Sequence, residues 1–153
     1  MNELRPPTLM ALPSYLAGHL ARIGHRLLVE ELAVHELRLP HFAVLSALSD
    51  FGSPAQHELA DRLGLNRSHL VGYLDLLEAR GLVRRERDPV DRRRMRVALT
   101  DAGRDLHSRL GSVAQQSQQR LLRALTESEQ AVLTELMQRV LRAEDEASGT
   151  RGP

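Results

Sequence analysis

Hydrophobic residues recur at helical spacing in the stretch that follows Asn66. Leu70, Leu74 and Leu77 are separated by four and three positions, which places them on one face of a helix. Asn66 is a favoured N-cap residue, and Gly81 suits the left-handed position that follows the end of a helix. The pattern therefore predicts a helix between these two residues with one buried face. Its opposite, polar face carries Arg67, Ser68, His69, Gly72 and Tyr73.

Beyond Gly81 the hydrophobic period changes from helical to alternating. Met95, Val97 and Leu99 alternate with Arg94, Arg96 and Ala98, as in a half-buried strand. Leu82-Val83, followed by residues 84–87, has the composition of a partner strand. The two segments predict a β-hairpin whose connection, residues 88–93, contains a proline and leads through consecutive arginines.

A shorter helix is predicted immediately before the first one. Leu59, Ala60 and Leu63 are its apolar residues, and Gly64 ends it. The sequence Ser53-Pro54-Ala55-Gln56 resembles a capping box with proline at the first helical position, so the helix is expected to begin at Pro54. Two short helices joined by a glycine-containing turn predict a helix-turn-helix, although an ordinary helical hairpin has the same pattern. The basic hairpin that follows favours a winged helix-turn-helix.

Longer helices are predicted on both sides of this lobe. An apolar arm precedes Pro13, which opens a helix expected to run to about Leu37. Pro40 opens a short helix whose buried residues are expected to be Phe42, Leu45 and Leu48. After the hairpin, Thr100-Asp101 caps a helix expected to reach about Leu125. Thr126-Glu127-Ser128-Glu129 forms a capping box for a last helix with a broad apolar stripe of Val132, Leu133, Leu136, Met137, Val140 and Leu141.

These terminal helices carry more apolar surface than a small lobe can cover, which predicts a two-fold homodimer. The expected fold is mainly α (α+β), a winged helix-turn-helix with long terminal dimerisation helices. The expected parts are an N-terminal arm and dimerisation helix over 1–37, a winged lobe over 38–100, C-terminal dimerisation helices over 101–147 and a frayed tail over 148–153.

Positive charge is concentrated on the hairpin. Residues 80–96 hold eight arginines against Glu86, Asp88 and Asp91, a local charge of +5 in a chain of +1. Such a concentration beside an exposed helical face is typical of a nucleic-acid-binding protein, although a solvated charged hairpin has the same composition. With only two tyrosines and two phenylalanines, the chain lacks the stacking platforms of single-strand and RNA readers. Double-stranded DNA is therefore the expected partner.

Composition narrows the remaining classes of function. Without cysteine there is no disulfide framework and no thiolate zinc site. No apolar run has the length of a membrane-spanning helix and no signal segment precedes the helices, so a cytoplasmic protein without a membrane partner is expected. Catalytic motifs are absent, which argues against an enzyme, and no cofactor is expected. The seven histidines contain no pair three or four positions apart, so no metal site is expected, although a composite site in a metal-responsive regulator stays open.

Several motifs resemble those of the multiple-antibiotic-resistance regulator (MarR) family of bacterial transcription factors. They are L-R-L-P-H-F-A-V-L-S-A-L, E-L-A-D-R-L-G-L-N-R-S-H-L, L-E-A-R-G-L-V-R-R and above all D-P-V-D-R-R-R-M-R-V-A-L-T-D-A-G. The resemblance covers about residues 13–141. The D-x-R wing followed by L-T-x-x-G is its specific part, because a helix-turn-helix alone occurs in many families.

The resemblance implies a dimeric transcriptional regulator that binds a palindromic operator, more often a repressor than an activator. It assigns Arg93 to the minor groove, with Asp91 bracing it, and the physics agrees because a narrow minor groove attracts a guanidinium. It assigns major-groove and phosphate contacts to Asn66, Arg67, Ser68, His69 and Gly72 or Tyr73, and further wing contacts to Arg87, Arg92 and Arg94. Relatives often carry Thr and Arg where this chain has Val71 and Gly72, which shifts the expected readout toward the wing and the phosphates.

The family commonly binds small, often aromatic, anionic effectors that release DNA. The candidate ligand pocket is formed by Tyr15, His19, Arg22 and His25, on one helical face, with His41 nearby. Solvated or interfacial residues would show the same spacing. A helical dimeric adaptor without DNA binding is the rival from another class. A salt titration distinguishes the adaptor from the DNA-binding regulator, because DNA affinity falls steeply with ionic strength.

Overall fold

The computed structural model describes residues 4–149 as helices around one small sheet. The elements are α1 (Pro7–Met10), α2 (Pro13–Ala33), α3 (Leu39–Phe51), α4 (Gln56–Leu63), α5 (Arg67–Ala79), β1 (Val83–Arg87), β2 (Met95–Leu99), α6 (Asp101–Leu121) and α7 (Glu127–Gly149). The strands pair antiparallel, with Arg85 opposite Val97. The fold is thus mainly helical with a winged helix-turn-helix, as predicted. The chain divides into two compact units, one ending at Ser117 and the other beginning at Gln118.

The winged lobe owes its core to the predicted helical stripes. Leu70, Leu74 and Leu77 of α5 are all buried, and they belong to one cluster with α3, α4 and both strands. In α3, Leu45 and Leu48 are buried as predicted, whereas Phe42 is only half-buried. Each fully buried leucine contributes about 1.5 to 3 kcal/mol of transfer free energy, so this cluster supplies the main stabilisation of the lobe.

Helix α4 begins two residues later than predicted, and Ser53 is not its cap. Ala55 occupies the N-cap position, where its backbone N–H donates to Glu58 Oε2 at 3.2 Å. The preceding segment is extended because it pairs with the wing: Val97 N donates to Pro54 O at 3.1 Å, and Ala55 forms a bridge with Arg96. A long-range pairing with β2 therefore replaced the local capping box.

Three other helix ends differ from prediction. Helix α2 stops at Ala33 and not near Leu37, since Glu36 adopts a left-handed backbone (φ 56°) and Leu37 N donates back to Leu32 O at 3.2 Å. Helix α6 ends at Leu121 and not near residue 125. Helix α7 continues to Gly149, so residues 148 and 149 of the predicted frayed tail are helical, while 150–153 lie outside the described residues.

Gly103 is required by a close approach between α6 and the wing. A Cβ atom built there would lie 1.9 Å from the Leu82 carbonyl oxygen. Thr100 joins the same junction, because its hydroxyl donates to Gly81 O at 2.5 Å and accepts from Gly103 N at 3.0 Å. The glycine of the L-T-x-x-G motif thus lets the backbone at the base of the wing rest directly on the next helix.

The second unit shows the predicted capping box at the start of α7. Thr126 N donates to Glu129 Oε2 at 2.8 Å, and Glu129 N donates to Thr126 Oγ1 at 3.3 Å. The hydrogen bonds from the backbone and hydroxyl of Thr126 lower the pKa of Glu129. The apolar stripe of α7 remains open, with Leu136 49% and Val140 65% exposed. Within residues 4–149 no helix is both long and apolar enough to cross a membrane.

Candidate nucleic-acid interface

The start of α5 presents the polar face predicted for the recognition helix. Asn66 caps the helix, with Ser68 N donating to Asn66 Oδ1 at 2.8 Å. Arg67, Ser68, His69 and Gly72 are exposed. Tyr73 differs: it is half-buried, its ring lies edge-on against His41 at 5.3 Å, and the Arg38 guanidinium lies 5.8 Å from the ring centre. Its aromatic ring therefore anchors the helix to α3.

The wing tip is held by one carboxylate. Asp88 Oδ1 accepts hydrogen bonds from the backbone N–H groups of Val90 at 2.8 Å and Asp91 at 3.0 Å. These hydrogen bonds, together with Arg96 at 3.6 Å, lower the pKa of Asp88. The turn closes with Asp88 N donating to Arg94 O at 2.9 Å. An Asp-Pro pair is a turn signal, so sequence reasoning had a cue for this residue and missed its role.

Asp91 lies between two arginines at the tip. Its Oδ1 is 3.5 Å from Arg93 Nε, and its Oδ2 is 3.7 Å from Arg94 Nε. Arg93 is nevertheless 94% exposed, while Asp91 is 41% exposed. The pair therefore has the predicted geometry, with the carboxylate at the base of a guanidinium that projects into solvent. At such exposure the ion pair adds little stability, and its effect is on orientation.

Recognition helix and wing meet around a shallow cleft. The cleft has a volume of about 220 Å³ and is lined by Gln56, His57, Arg67, Leu70, Arg93, Arg94 and Met95. Three guanidinium-bearing residues from two separate elements thus border one concave surface. The lining holds three arginines and no acidic residue, while Asp91 and Glu58 pair with Arg93 or Arg94 at 3.5 to 4.0 Å. An anion in the cleft would therefore meet Arg67 and two arginines whose charge is partly compensated. Sequence reasoning predicted Arg67, Arg93 and Arg94 for this surface and missed Gln56 and His57 at the start of α4.

The eight arginines of residues 80–96 are not equivalent. Arg85 is only 20% exposed and pairs with Asp75 and Glu78, and Arg96 donates to Ser53 O at 2.9 Å. Arg80 donates to His35 O at 3.0 Å and Arg87 to Arg92 O at 2.8 Å. Net charge alone therefore overstates the number of arginines that are available to a partner.

The predicted ligand residues separate into two places. On α2 the rings of Tyr15 and His19 lie 4.3 Å apart, and Arg22 donates to His19 Nδ1 at 2.7 Å. Desolvation, followed by the charges of Arg22 and Arg5, lowers the pKa of His19. His25 is exposed one turn further, on a shallow surface that also includes Arg22.

His41 does not join that group. It is 2% exposed in the winged lobe, where its Nδ1 accepts a hydrogen bond from Arg38 N at 2.9 Å. Among residues 4–149 no hydrogen bond, ion pair or ring contact links it to the four candidates on α2. α3 places this side chain under Tyr73, and its proximity to the α2 residues stays a prediction. The described part of the chain also holds no group of three or more histidine or acidic residues arranged to bind a metal.

The chain is similar to known proteins along the segment that forms the winged lobe. Residues 35–94 match the family described as the MarR family. The HTH-type transcriptional regulator TtmR of Methylorubrum extorquens (strain PA1) is 38% identical over 96 residues, a match that spans 63% of this chain and about half (48%) of TtmR.

Solved structures match nearly the whole chain. The PcaV transcriptional regulator from Streptomyces coelicolor, in complex with its natural ligand, is 35% identical, with a TM-score of 0.72 over 92% of this chain and 99% of PcaV. The transcriptional repressor CouR, bound to a 23-mer DNA duplex, is 30% identical, with a TM-score of 0.80 over 91% of this chain and 99% of CouR. Both alignments extend beyond the winged lobe, since each covers more than nine-tenths of this chain.

Proposed function

The chain belongs to the MarR family of transcriptional regulators, and on that premise we propose that it is a sequence-specific repressor that binds double-stranded DNA in the cytoplasm. It acts as a homodimer on a palindromic operator, and a small aromatic anion releases it. The observation that carries the proposal is the cleft that Arg67 borders from the recognition helix and Arg93 and Arg94 border from the wing.

Each part of this surface suits a different part of the duplex. The exposed face of α5, with Asn66, Arg67, Ser68, His69 and Gly72, enters the major groove. Arg93 enters the adjacent minor groove, where the negative potential is strongest, and Asp91 fixes its direction. Arg67 contacts a guanine or a phosphate, and Arg87, Arg92 and Arg94 contact phosphates along the wing. Tyr73 contributes by anchoring α5 through His41.

Exposed apolar side chains support the homodimer. In α7 the open residues are Val132, Leu136, Met137, Val140 and Leu141, and Leu9, Met10 and Leu12 are also more than a third exposed. Surfaces of this kind are typical of contacts between subunits. Two copies related by a two-fold axis place two recognition helices about 34 Å apart, one helical turn of DNA, which fits a palindrome.

The α2 residues support an effector site. Tyr15 supplies an aromatic face, and Arg22 supplies a guanidinium that pairs bidentately with a carboxylate. His19 and His25 flank Arg22 on the same helix. The structure of PcaV in complex with its natural ligand shows that a structural relative binds a ligand. Benzoate is a suitable first probe, and Arg22→Ala is expected to make DNA binding insensitive to it.

The decisive experiment selects duplexes from a random DNA library with the purified protein. We expect enrichment of a palindrome with half-sites about one helical turn apart. Arg93→Ala should weaken binding to that palindrome by about 1 to 3 kcal/mol. The matched control is Arg109→Ala, which removes the same charge from an exposed position on α6 and should bind as wild type does. A wild-type protein that enriches no sequence at low salt would overturn the proposed function, and unchanged binding by Arg93→Ala would overturn the role of the wing.

A further inference from the structure

Arg85 is fastened to the recognition helix by four hydrogen bonds. Its backbone N–H donates to Glu78 Oε1 at 3.0 Å, and its Nε and Nη2 donate to Glu78 Oε2 at 3.1 and 2.7 Å. Nη2 also donates to Asp75 Oδ1 at 2.6 Å. Glu78 and Asp75 lie one turn apart on α5, whereas Arg85 is the central residue of β1. One side chain therefore joins the helix to the strand that leads to the wing tip.

The burial of these groups separates them from the other charges of the hairpin. Arg85 is 20% exposed and Glu78 37%, compared with 59% for Arg84 and 94% for Arg93. The hydrogen bonds from Arg85 lower the pKa of Glu78, and those to Glu78 and Asp75 raise the pKa of Arg85. The Nε and Nη2 groups of Arg85 are thus paired within the protein, although Asp75 itself is 58% exposed.

The position of Arg85 explains what this contact controls. β1 and β2 are paired through Arg85 and Val97, and the tip beyond them is closed on itself by Asp88 and Asp91. The hairpin thus behaves as one piece from its central pair to its tip. The ion pair of Arg85 with Glu78 joins the centre of the hairpin directly to α5, while the hydrogen bond from Val97 N to Pro54 O and the Ala55–Arg96 bridge join β2 to the segment before α4.

We propose that Arg85, with Glu78 and Asp75, is a positioning residue that joins the recognition helix and the wing into one DNA-reading unit, and does not itself contact DNA. The inference rests on the proposed DNA-binding function. Because a groove contact tolerates little displacement, a hairpin released from α5 presents Arg93 away from the minor groove while Arg67 still reaches the major groove.

Glu78→Gln provides a test in which two explanations predict opposite signs. The change removes a negative charge near DNA, so simple electrostatics predicts tighter binding. Positioning predicts binding weaker by about threefold to tenfold, because the amide loses the ion pair with Arg85 and keeps one of the two acceptor oxygens. Glu86→Gln is the matched control: it removes the same charge from β1, where Glu86 is 54% exposed and 3.8 Å from Arg84. It should bind as tightly as wild type or more tightly.

A pair of double-mutant cycles shows which DNA contact depends on Glu78. Binding of the selected palindrome is measured at constant salt, well below the unfolding transition of each variant, for Glu78→Gln alone and with Arg93→Ala or Arg67→Ala. We expect Arg93→Ala to cost several-fold less in the Glu78→Gln background than in wild type, whereas the cost of Arg67→Ala should be unchanged. A loss of stability alone would not produce this asymmetry.

The outcomes are distinct. If wild type binds the palindrome and Glu78→Gln binds equally or more tightly, the positioning role is overturned while the proposed function stands. The positioning role would also be overturned if Arg93→Ala and Arg67→Ala each cost as much binding in the Glu78→Gln background as in wild type. If wild type binds no duplex, the proposed function fails, and the positioning role fails with it.

Discussion

Most apolar side chains of the winged lobe are buried, whereas most of those of helix α7 are exposed. In the lobe, Leu74 and Leu77 of α5 are fully buried among residues of α3, α4 and the two strands. In α7, Leu136 is 49% and Val140 65% exposed, although their spacing is as regular. An amphipathic helix is stable only when its apolar face is covered. The helices of the lobe are covered within the chain, with help from Leu32 of α2 and from Leu106 and Leu110 of α6, whereas α7 presents a face that suits a second copy of the chain.

The largest effect is expected from a substitution in the core of the winged lobe. Leu74→Ala should lower the free energy of unfolding by about 2 to 5 kcal/mol, because it leaves a cavity in a closed cluster. Leu76→Ala, on the same helix at a position 37% exposed, should cost less than about 1 kcal/mol. Chemical denaturation followed by circular dichroism measures both. Equal losses would show that Leu74 does not lie in a tightly packed core.

A substitution on the open face of α7 should weaken the homodimer and leave the folding of the chain unchanged. Leu136→Glu should raise the dissociation constant of the homodimer at least about tenfold, because an unpaired carboxylate would be buried in the interface. Sedimentation velocity across a concentration series measures this constant. Gln138→Glu introduces the same charge on the opposite side of the helix and should leave the dimer intact. A wild-type protein that sediments as a monomer would remove the proposed role of this face.

A smaller effect is expected where the lobe meets solvent at the start of α5. Asn66→Ala should lower the free energy of unfolding by about 1 kcal/mol, since the Ser68 N–H loses its acceptor. Asn66→Asp keeps an acceptor at the same place and should retain most of the stability. Denaturant titration of the two variants side by side checks this. A similar loss in both would indicate that the cap does not stabilise the helix.

The smallest expected effect is a pH dependence arising from His41. Burial, followed by the charges of Arg38 and Arg80, lowers the pKa of His41 below its ordinary value of 6.5. Above that pH both the folded and unfolded chains hold the neutral ring, so His41 adds no pH dependence. As the pH falls through 6.5, the unfolded chain binds the proton first, and the folded state loses stability. The free energy of unfolding should therefore decline on acidification.

His41→Gln should make this decline shallower, because glutamine can accept the same hydrogen bond from Arg38 N without binding a proton. His69→Gln, which removes a histidine from the exposed face of α5, is the matched control and should follow wild type. Denaturation at a series of pH values between 5 and 8 checks both. An unchanged slope in His41→Gln would contradict the assignment of the pH dependence to this side chain.

Local pattern was sufficient where an element stabilises itself. The Asn66 cap, the Thr126 capping box and the buried stripe of α5 depend on residues within a few positions of one another, and all three were predicted correctly. Local pattern failed where a distant segment competed. The capping box predicted at Ser53 did not form, because the segment before α4 pairs with β2.

The interface shows the same division. The resemblance to the family singled out Arg93 and its partner Asp91, and the D-x-R spacing brings them together within one turn. The charge pattern of the hairpin could not distinguish Arg85 from its neighbours, because the partners of Arg85 lie seven and ten residues earlier on another element. The sequence records an arginine in the same way whether its guanidinium faces α5 or solvent.

Hydrophobic period, caps and charge are local properties of the chain, and they were enough to predict the order of the elements, the winged helix-turn-helix and the basic hairpin. Which arginines hold the hairpin, and which can meet a partner, became clear from the folded chain alone. The folded chain also showed that Gly103 must lack a side chain beside Leu82. The physical reason is that these properties depend on the distance between atoms far apart in the chain, and packing alone sets that distance.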